Sequence, residues 1–245
     1  MQAELTALAR LEMMWPWAIM GLLSGLFLER LILSLPQWVL TPYGDQIRPD
    51  DWHGPGGGLQ QAPRWSRQLS LALINSVVWA CCSLSLQSTD PASIPAVVAW
   101  SLCASSLLVL GVVDWNTTLL PDILVLSLLW AGLLASERQW TLIPISISVW
   151  SAAGWYVAPQ LSAWLFERIT GRMGMGQGDA KLLAAMAAWW GWQPVLWAML
   201  IGSLLILLAG IAWRKQCVKR NSQVPFGPAL IAGICLWNLK TWFAM

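Results

Sequence analysis

"SLLVLGVVDWNTTLLPDILVLSLL", residues 106–129, places one acid, Asp114, at the end of an apolar run and another, Asp122, at the start of the next. Of the 245 residues in the chain, 57% are hydrophobic and 11% are charged, whereas a soluble domain usually carries about 25% charged residues. So little polar surface cannot cover a water-soluble globule of this length. The composition therefore predicts an integral membrane protein, in which both acids need an explanation.

The apolar segments predict the fold class. A membrane-spanning helix needs about 20 mostly apolar residues. By this criterion we expect an all-α, polytopic bundle of about eight transmembrane helices, two of them short. The predicted spans are 15–35, 69–87, 94–113, 122–136, 142–166, 180–193, 195–213 and 226–244.

The distribution of Lys and Arg predicts the orientation of the bundle. With the N-terminus outside, eleven of the 14 Lys and Arg residues lie on the cytoplasmic side of the eight spans and three lie outside. This asymmetry agrees with the positive-inside rule and places both termini on the periplasmic side. The net charge of +2, without a basic stripe, argues against a nucleic-acid partner.

The longest polar stretch, 36–68, is rich in Pro, Gly and charged residues, which predicts a cytoplasmic loop. We expect a first region, 1–68, made of one helix and this loop, and a second region, 69–245, that carries the transmembrane site. In the first helix, Gly21 and Gly25 lie one turn apart. This spacing lets a neighbouring helix approach closely.

Three acids lie at the ends of predicted spans: Asp114, Asp122 and Asp179. Ionisable groups at membrane depth are costly and mark functional sites. The third span runs inward and the sixth runs outward, so Asp114 and Asp179 both lie near the cytoplasmic face. If these helices touch, one carboxylate acts as a general base on water while the other donates to a carbonyl. Two alternatives stay open: Asp122 in place of Asp114, and helix capping by Asp122 and Asp179.

A glycine-rich loop, "GMGQGDAK" at 174–181, precedes the sixth span. Glycine leaves room for another backbone to approach, so we expect a substrate peptide to lie extended beside Met175, Gly176 and Gln177. The loop lacks the GK[ST] ending of a phosphate-binding P-loop and follows an apolar helix, which argues against nucleotide binding. Lys181 either complements lipid headgroups or neutralises the neighbouring carboxylate.

Four stretches resemble the bacterial type IV prepilin peptidases, which are GxGD-type membrane aspartic proteases. "DWNTTLLPD" (114–122) resembles the first aspartate motif of that family, and "GMGQGDAK" (174–181) resembles the second. "VPFGPAL" (224–230) is similar to the PFGP segment before the last span of the family, and "GLLSGLFLERLILSLP" (21–36) is a weaker echo of its first span.

The resemblance implies roles for particular residues. It places the catalytic acids on Asp114 and Asp179. Supporting positions are Gly176, Gly178, Lys181, Pro121 and Asp122, and candidate substrate-binding positions are Met175, Gln177, Pro225, Gly227 and Pro228.

The resemblance also implies the substrate and the location. Members of the family remove the basic leader from type IV prepilins or type II secretion pseudopilins, whose hydrophobic N-terminal helix lies in the bilayer. They cleave after a glycine at the cytoplasmic face of the bacterial inner membrane. The expected partners of this chain are therefore such prepilins and the lipid bilayer.

The chain departs from the family in its first cytoplasmic loop. Many members carry two CxxC pairs there, which bind zinc, but residues 36–68 contain no cysteine, and His53 is expected to be solvated. We therefore expect no zinc, and proteolysis by two carboxylates needs no cofactor. The resemblance allows N-methylation of the new N-terminus with S-adenosylmethionine, although no residue in this loop supports it.

Three other functional classes share parts of this pattern. A transporter also places acids at the ends of spans, although it favours acids nearer the bilayer centre and often an internal repeat. A membrane methyltransferase without protease activity needs a nucleotide-binding domain, for which the polar stretch is too short. A non-proteolytic assembly protein on the same scaffold would use the acids structurally.

Overall fold

The computed structural model describes residues 14–28, 30, 32, 64–85, 93–171, 175–213 and 225–243. Most of the loop 36–68, including His53, lies outside the described residues. The predictions that concern that loop therefore stay predictions.

The described residues form eight α-helices and no strand. The helices are α1 (Met14–Leu28), α2 (Arg64–Ser85), α3 (Ile94–Thr117), α4 (Asp122–Glu137), α5 (Ile145–Thr170), α6 (Gln177–Trp190), α7 (Trp192–Trp213) and α8 (Gly227–Phe243). Each predicted apolar segment coincides mainly with one helix of the described residues, and this agreement confirms the all-α class. Within the described part of the chain, two helices are long and apolar enough to cross a membrane, Ile94–Thr117 and Trp192–Ile211.

Several helices begin or end at other residues than the predicted spans, because backbone conformation sets these boundaries. Helix α3 continues to Thr117, past the predicted end at residue 113, so Asp114 lies inside the helix. Gly171, with a left-handed φ of 66°, follows the last residue of α5, and Gly191, with a φ of 81°, follows the last residue of α6. Glycine adopts these angles without steric cost, so Gly191 separates two apolar helices that hydropathy alone nearly merges.

The chain divides into two compact units at Val109 and Leu110, inside α3. In the first unit, α1 packs closely against α2. A Cβ atom on Gly21 would lie 2.8 Å from the Cα of Ser76, and one on Gly25 would lie 2.6 Å from the Cα of Ala72. The predicted close approach at these two glycines is thereby confirmed.

A buried polar network joins the three helical segments of the first unit. Asn75 is fully buried, and its amide nitrogen donates to the carbonyl oxygen of Gly21 at 2.8 Å and to the hydroxyl of Ser24 at 3.0 Å. The hydroxyl of Ser105 donates to the Asn75 amide oxygen at 2.7 Å and accepts from the indole N–H of Trp79 at 2.9 Å. The polar groups of Asn75 are thus paired with their neighbours.

In the second unit, α6 is the central helix. Residues 182–189 are all buried, and α6 contacts α4, α5 and α7. The indole N–H of Trp189 donates to the carbonyl oxygen of Leu128 at 2.9 Å, and the hydroxyl of Ser148 donates to that of Ala188 at 2.7 Å. Protein thus surrounds α6 along most of its length.

Candidate active site

Asp114 lies near the end of α3, in the part of that helix that belongs to the second unit. The residue is only 4% exposed, and the backbone N–H of Gly227 donates a 2.8 Å hydrogen bond to its Oδ2 atom. Gly227 is the first residue of α8. Free N–H groups at the start of a helix carry a partial positive charge, so this contact favours a carboxylate.

Asp179 lies in the first turn of α6 and is partly exposed. Burial raises the pKa of its carboxyl from 3.8 to about 7, and the negative charge of Asp114 adds to the rise, whereas a hydrogen bond from the N–H of Gly176 lowers it. The two acids are therefore close enough to influence each other's ionisation. The prediction that Asp114 and Asp179 are brought together is supported by this interaction.

The capping alternative fits only one of the acids. Gly176 is the N-cap residue of α6, so Asp179, at the third helical position, bonds back to the cap N–H as in a capping box. For α4, the N-cap residue is Pro121, and no side chain makes a capping hydrogen bond. The expectation that Asp122 caps α4 is therefore wrong.

Asp122 instead pairs with Lys181. The Lys181 ammonium lies 2.7 Å from Oδ1 and 2.6 Å from Oδ2 of Asp122. The pair links the first turn of α4 to the start of the second turn of α6. The sequence allowed two roles for Lys181, one of them neutralisation of Asp179. The structure shows that Lys181 instead forms an ion pair with Asp122.

The two aspartate motifs contact each other where Gly178 meets Leu120. A Cβ atom on Gly178 would lie 3.2 Å from the Cβ of Leu120. The glycine therefore lets the first turn of α6 approach the loop that precedes α4.

The loop after α3 contains a strained residue. Thr118 has a φ of 55°, and its N–H donates to the carbonyl oxygen of Asp114 at 2.8 Å. A β-branched residue in the left-handed region is uncommon, and such strain tends to occur at functional sites. Thr118 ends α3 directly after the turn that carries the acid.

A cavity of about 1120 Å³ lies beside the two acids, within the second unit. Asp114 and Asp179 both line it, together with Met175, Gln177 and Pro225, three of the predicted substrate-binding residues. Gly227, a fourth, contacts Asp114 directly. Both acids thus border the same cavity.

Helix α5 contributes a wall of the cavity that the sequence did not predict. Pro159, Gln160, Trp164 and Glu167 line it from this helix. Their spacing of about one helical turn was visible in the sequence, but only the packing of α5 against α6 shows that this face looks toward the acids. Glu167 was the available signal, because it is an acid near the end of an apolar helix.

Among the described residues, no group of three or more His, Cys, Asp or Glu side chains is placed to hold a metal ion. The loop for which zinc was considered lies outside these residues.

Residues 101–211, which include both acids, match the model of the type IV leader peptidase family. This match confirms, over that segment, the resemblance to prepilin peptidases. No solved structure matches the chain.

Three similar proteins carry the name prepilin leader peptidase/N-methyltransferase. The protein from Dickeya chrysanthemi is 38% identical over 136 residues, which are 55% of this chain and 48% of that protein. The one from Pectobacterium carotovorum subsp. carotovorum is 40% identical over 143 residues, covering 57% and 51%. The one from Pseudomonas aeruginosa is 37% identical over 148 residues, covering 60% and 48%. The chain thus spans about half the length of the curated relatives it matches.

Proposed function

We propose that this protein is a prepilin leader peptidase, an aspartic endopeptidase that removes the leader from type IV prepilins or type II secretion pseudopilins. The observation that carries the proposal is the pair of carboxyl groups, Asp114 and Asp179, at one cavity inside the segment that matches the leader peptidase family. The relatives carry the name of this activity, and we propose the same peptidase activity for this chain.

The two carboxyl groups have the properties that peptide hydrolysis requires. With one group ionised and the other protonated, the ionised group takes a proton from water as the water oxygen attacks the substrate carbonyl carbon. The protonated group gives its proton to the carbonyl oxygen. A carboxyl with a pKa of about 7, such as that of Asp179, still holds its proton near neutral pH.

The proposed membrane arrangement has eight spans, both termini in the periplasm and the site at the cytoplasmic face. The eight helices and the Lys and Arg distribution support it. Helix α6 has 14 residues, so it is about 21 Å long, less than the bilayer core of about 30 Å. Because α6 is buried, its neighbours shield it from lipid, and Asp179 lies one residue before the proposed span 180–193.

The substrate is proposed to enter with its scissile bond at the cytoplasmic boundary, after a glycine. The backbone beside Met175 and Gln177 lines the cavity, where an extended peptide can offer its carbonyl to the acids. We also propose the division of the chain into 1–68 and 69–245. Proteolysis by this site uses neither a metal nor S-adenosylmethionine, and the methyltransferase part of the relatives' names forms no part of the proposal.

The test is cleavage of a co-expressed type IV prepilin, followed as a mobility shift on a gel. Asp114→Asn and Asp179→Asn are each expected to lower processing by about 100-fold or more, because asparagine keeps the shape but cannot exchange a proton in the reaction. Glu137→Gln is the matched control, since this acid lies at the far end of α4 with its side chain 60% exposed. Processing by the control is expected to equal that of the wild type.

Asp122→Asn tests the remaining alternative, in which Asp122 takes the catalytic role in place of Asp114. This acid lines the same cavity but is occupied by Lys181, so the variant is expected to retain processing. Normal cleavage by both Asp114→Asn and Asp179→Asn would remove the protease proposal and leave a transporter or assembly protein as the better explanation of the acids.

A further inference from the structure

Each of the two acids at the cavity accepts a hydrogen bond from the backbone N–H of a glycine at the start of a helix. Gly227, the first residue of α8, donates to Asp114. Gly176, the N-cap residue of α6, donates to Asp179. The sequence predicts a supporting role for Gly176 and a substrate-binding role for Gly227, so it predicts neither hydrogen bond.

The space around Gly227 is occupied by the carboxylate itself. A Cβ atom there would lie 2.8 Å from Oδ2 and 3.2 Å from Cγ of Asp114. At Gly176 the corresponding distance to Oδ2 of Asp179 is 3.2 Å. A side chain at 227 would thus push Asp114 away from its donor, and the same change at 176 would disturb the other acid less.

Two prolines close to Gly227 leave few backbone N–H groups at this turn. Pro225 and Pro228 have no N–H, and Pro228, at the second position of α8, holds a backbone angle that suits the start of a helix. The N–H of Gly227 is thereby fixed in direction, with the positive end of α8 behind it.

We infer that the N–H of Gly227 is a positioning group that orients Asp114 and favours its ionised form, so that Asp114 is the general base and Asp179 the general acid. This inference rests on the proposed protease function. It is supported by the pKa of about 7 at Asp179, because the charge of Asp114 contributes to that rise only if Asp114 ionises first.

The assignment gives a balanced sequence of proton transfers. Asp114 takes a proton from water while the water oxygen bonds to the substrate carbonyl carbon, and Asp179 gives its proton to the carbonyl oxygen, which yields a neutral gem-diol. When the C–N bond breaks, Asp114 gives its proton to the leaving nitrogen, and Asp179 takes one from a diol hydroxyl. Both acids then return to their starting states.

Other charged groups at the cavity have to be considered in any pH test. Among the residues that the structure describes, the other ionisable side chains lining the cavity are Asp122 on α4, whose charge is paired with Lys181, and Glu167 on α5. Neither Asp122 nor Glu167 is hydrogen-bonded to Gly227, whose N–H donates to Asp114. A change at position 227 therefore acts on Asp114 and leaves these groups in place.

The experiment compares Gly227→Ala with Gly210→Ala in the purified full-length protein, using a synthetic prepilin peptide with a basic leader, a glycine before the cleavage site and an apolar helical segment. Gly210, on α7, has open space around it.

Gly227→Ala is expected to lower kcat by about 10- to 100-fold with KM changed less than about threefold. The acidic limb of its pH–rate profile is expected to move to higher pH, because the ionised base has lost its donor. Gly210→Ala is expected to match the wild type in both measurements.

A second variant removes the donor without adding volume. Glycolic acid incorporated at position 227 replaces the N–H by an ester oxygen, and it is expected to give the same shift of the acidic limb even if Gly227→Ala does not fold. If the ester variant loses folded protein, or raises KM without a shift of the limb, Gly227 has a structural role and the inference fails.

Asp114→Asn and Asp179→Asn, assayed in parallel, separate this inference from the function on which it rests. If both lose cleavage while the two changes at 227 leave kcat and the pH profile within about twofold of the wild type, the protease proposal stands and the positioning role is wrong. If both asparagine variants still cleave, the protease proposal itself is wrong.

Discussion

The buried polar groups of the two compact units are used in opposite ways. In the first unit, Asn75 has each of its amide atoms paired with a partner on a neighbouring helix. In the second, Asp114 and Asp179 receive backbone hydrogen bonds but also line a cavity. A closed network contributes to stability and cannot react, because its donors and acceptors are occupied. Carboxyl groups that are held but not enclosed cost stability and remain available for proton transfer.

The largest effect on stability is expected from breaking the closed network. Asn75→Ala removes the partner of the Gly21 carbonyl oxygen and the Ser105 hydroxyl, and we expect it to lower the free energy of unfolding by about 2 kcal/mol. The measurement is thermal unfolding in detergent. Ser106→Ala is the control, since the hydroxyl of Ser106 bonds only along its own helix, to the carbonyl oxygen of Leu102.

The same comparison predicts that Asn75→Ala leaves the chemistry intact. Cleavage per folded molecule is expected to equal that of the wild type, because the network does not line the cavity. A variant with unchanged stability would contradict the assignment of a structural role to this network.

At the candidate active site we expect a substitution that raises the free energy of unfolding instead of lowering it. The pKa of Asp179 is raised from 3.8 to about 7, so the folded protein keeps a proton that the unfolded chain releases between these values. The free energy of unfolding therefore falls as pH rises through this window. Asp179→Asn cannot ionise and is expected to be more stable than the wild type by about 1–2 kcal/mol at pH 8.

The pH dependence is the sharper part of that prediction. The stabilisation by Asp179→Asn is expected to disappear below about pH 4, where the wild-type carboxyl is protonated in both folded and unfolded states. Thermal unfolding of both proteins from acid to mildly basic pH measures it. Equal stability at pH 8 would mean that the acid carries no electrostatic cost.

The sequence predicted the parts of this comparison that depend on composition and local pattern. Apolar segments located the eight helices that the described residues form, and the rarity of charge drew attention to Asp114 and Asp179. The resemblance added the segment that contains Gly227, but it could not give the role of that glycine. Contacts between groups 113 residues apart, such as Gly227 with Asp114, depend on how the helices pack, which hydropathy does not encode.

Lys181 illustrates the same limit at shorter range. Its position two residues after Asp179 made that acid the obvious partner, yet residues two apart on a helix point in different directions. Its ammonium instead reaches Asp122, because α4 packs against α6. The partner of a charged side chain was therefore decided by tertiary structure.

The smallest effect is expected from breaking this ion pair. The side chain of Lys181 is 22% exposed and that of Asp122 is 56% exposed, so water screens the interaction and it is expected to contribute less than about 1 kcal/mol. Lys181→Gln should lower the unfolding temperature slightly, and the loss should shrink in high salt. Arg138→Gln, at an ion pair whose side chains are both more than half exposed, is the matched control and should have no measurable effect.

A double-mutant cycle of Lys181→Gln and Asp122→Asn measures the coupling between the two side chains directly. We expect a coupling free energy below about 1 kcal/mol, with cleavage by the double variant close to that of the single variants. A coupling free energy as large as the effect of Asn75→Ala would mean that this ion pair stabilises the fold as much as the buried network of the first unit does. A large loss of cleavage with little loss of stability would instead assign it to the site, where it would hold the start of α4 in place beside the acids.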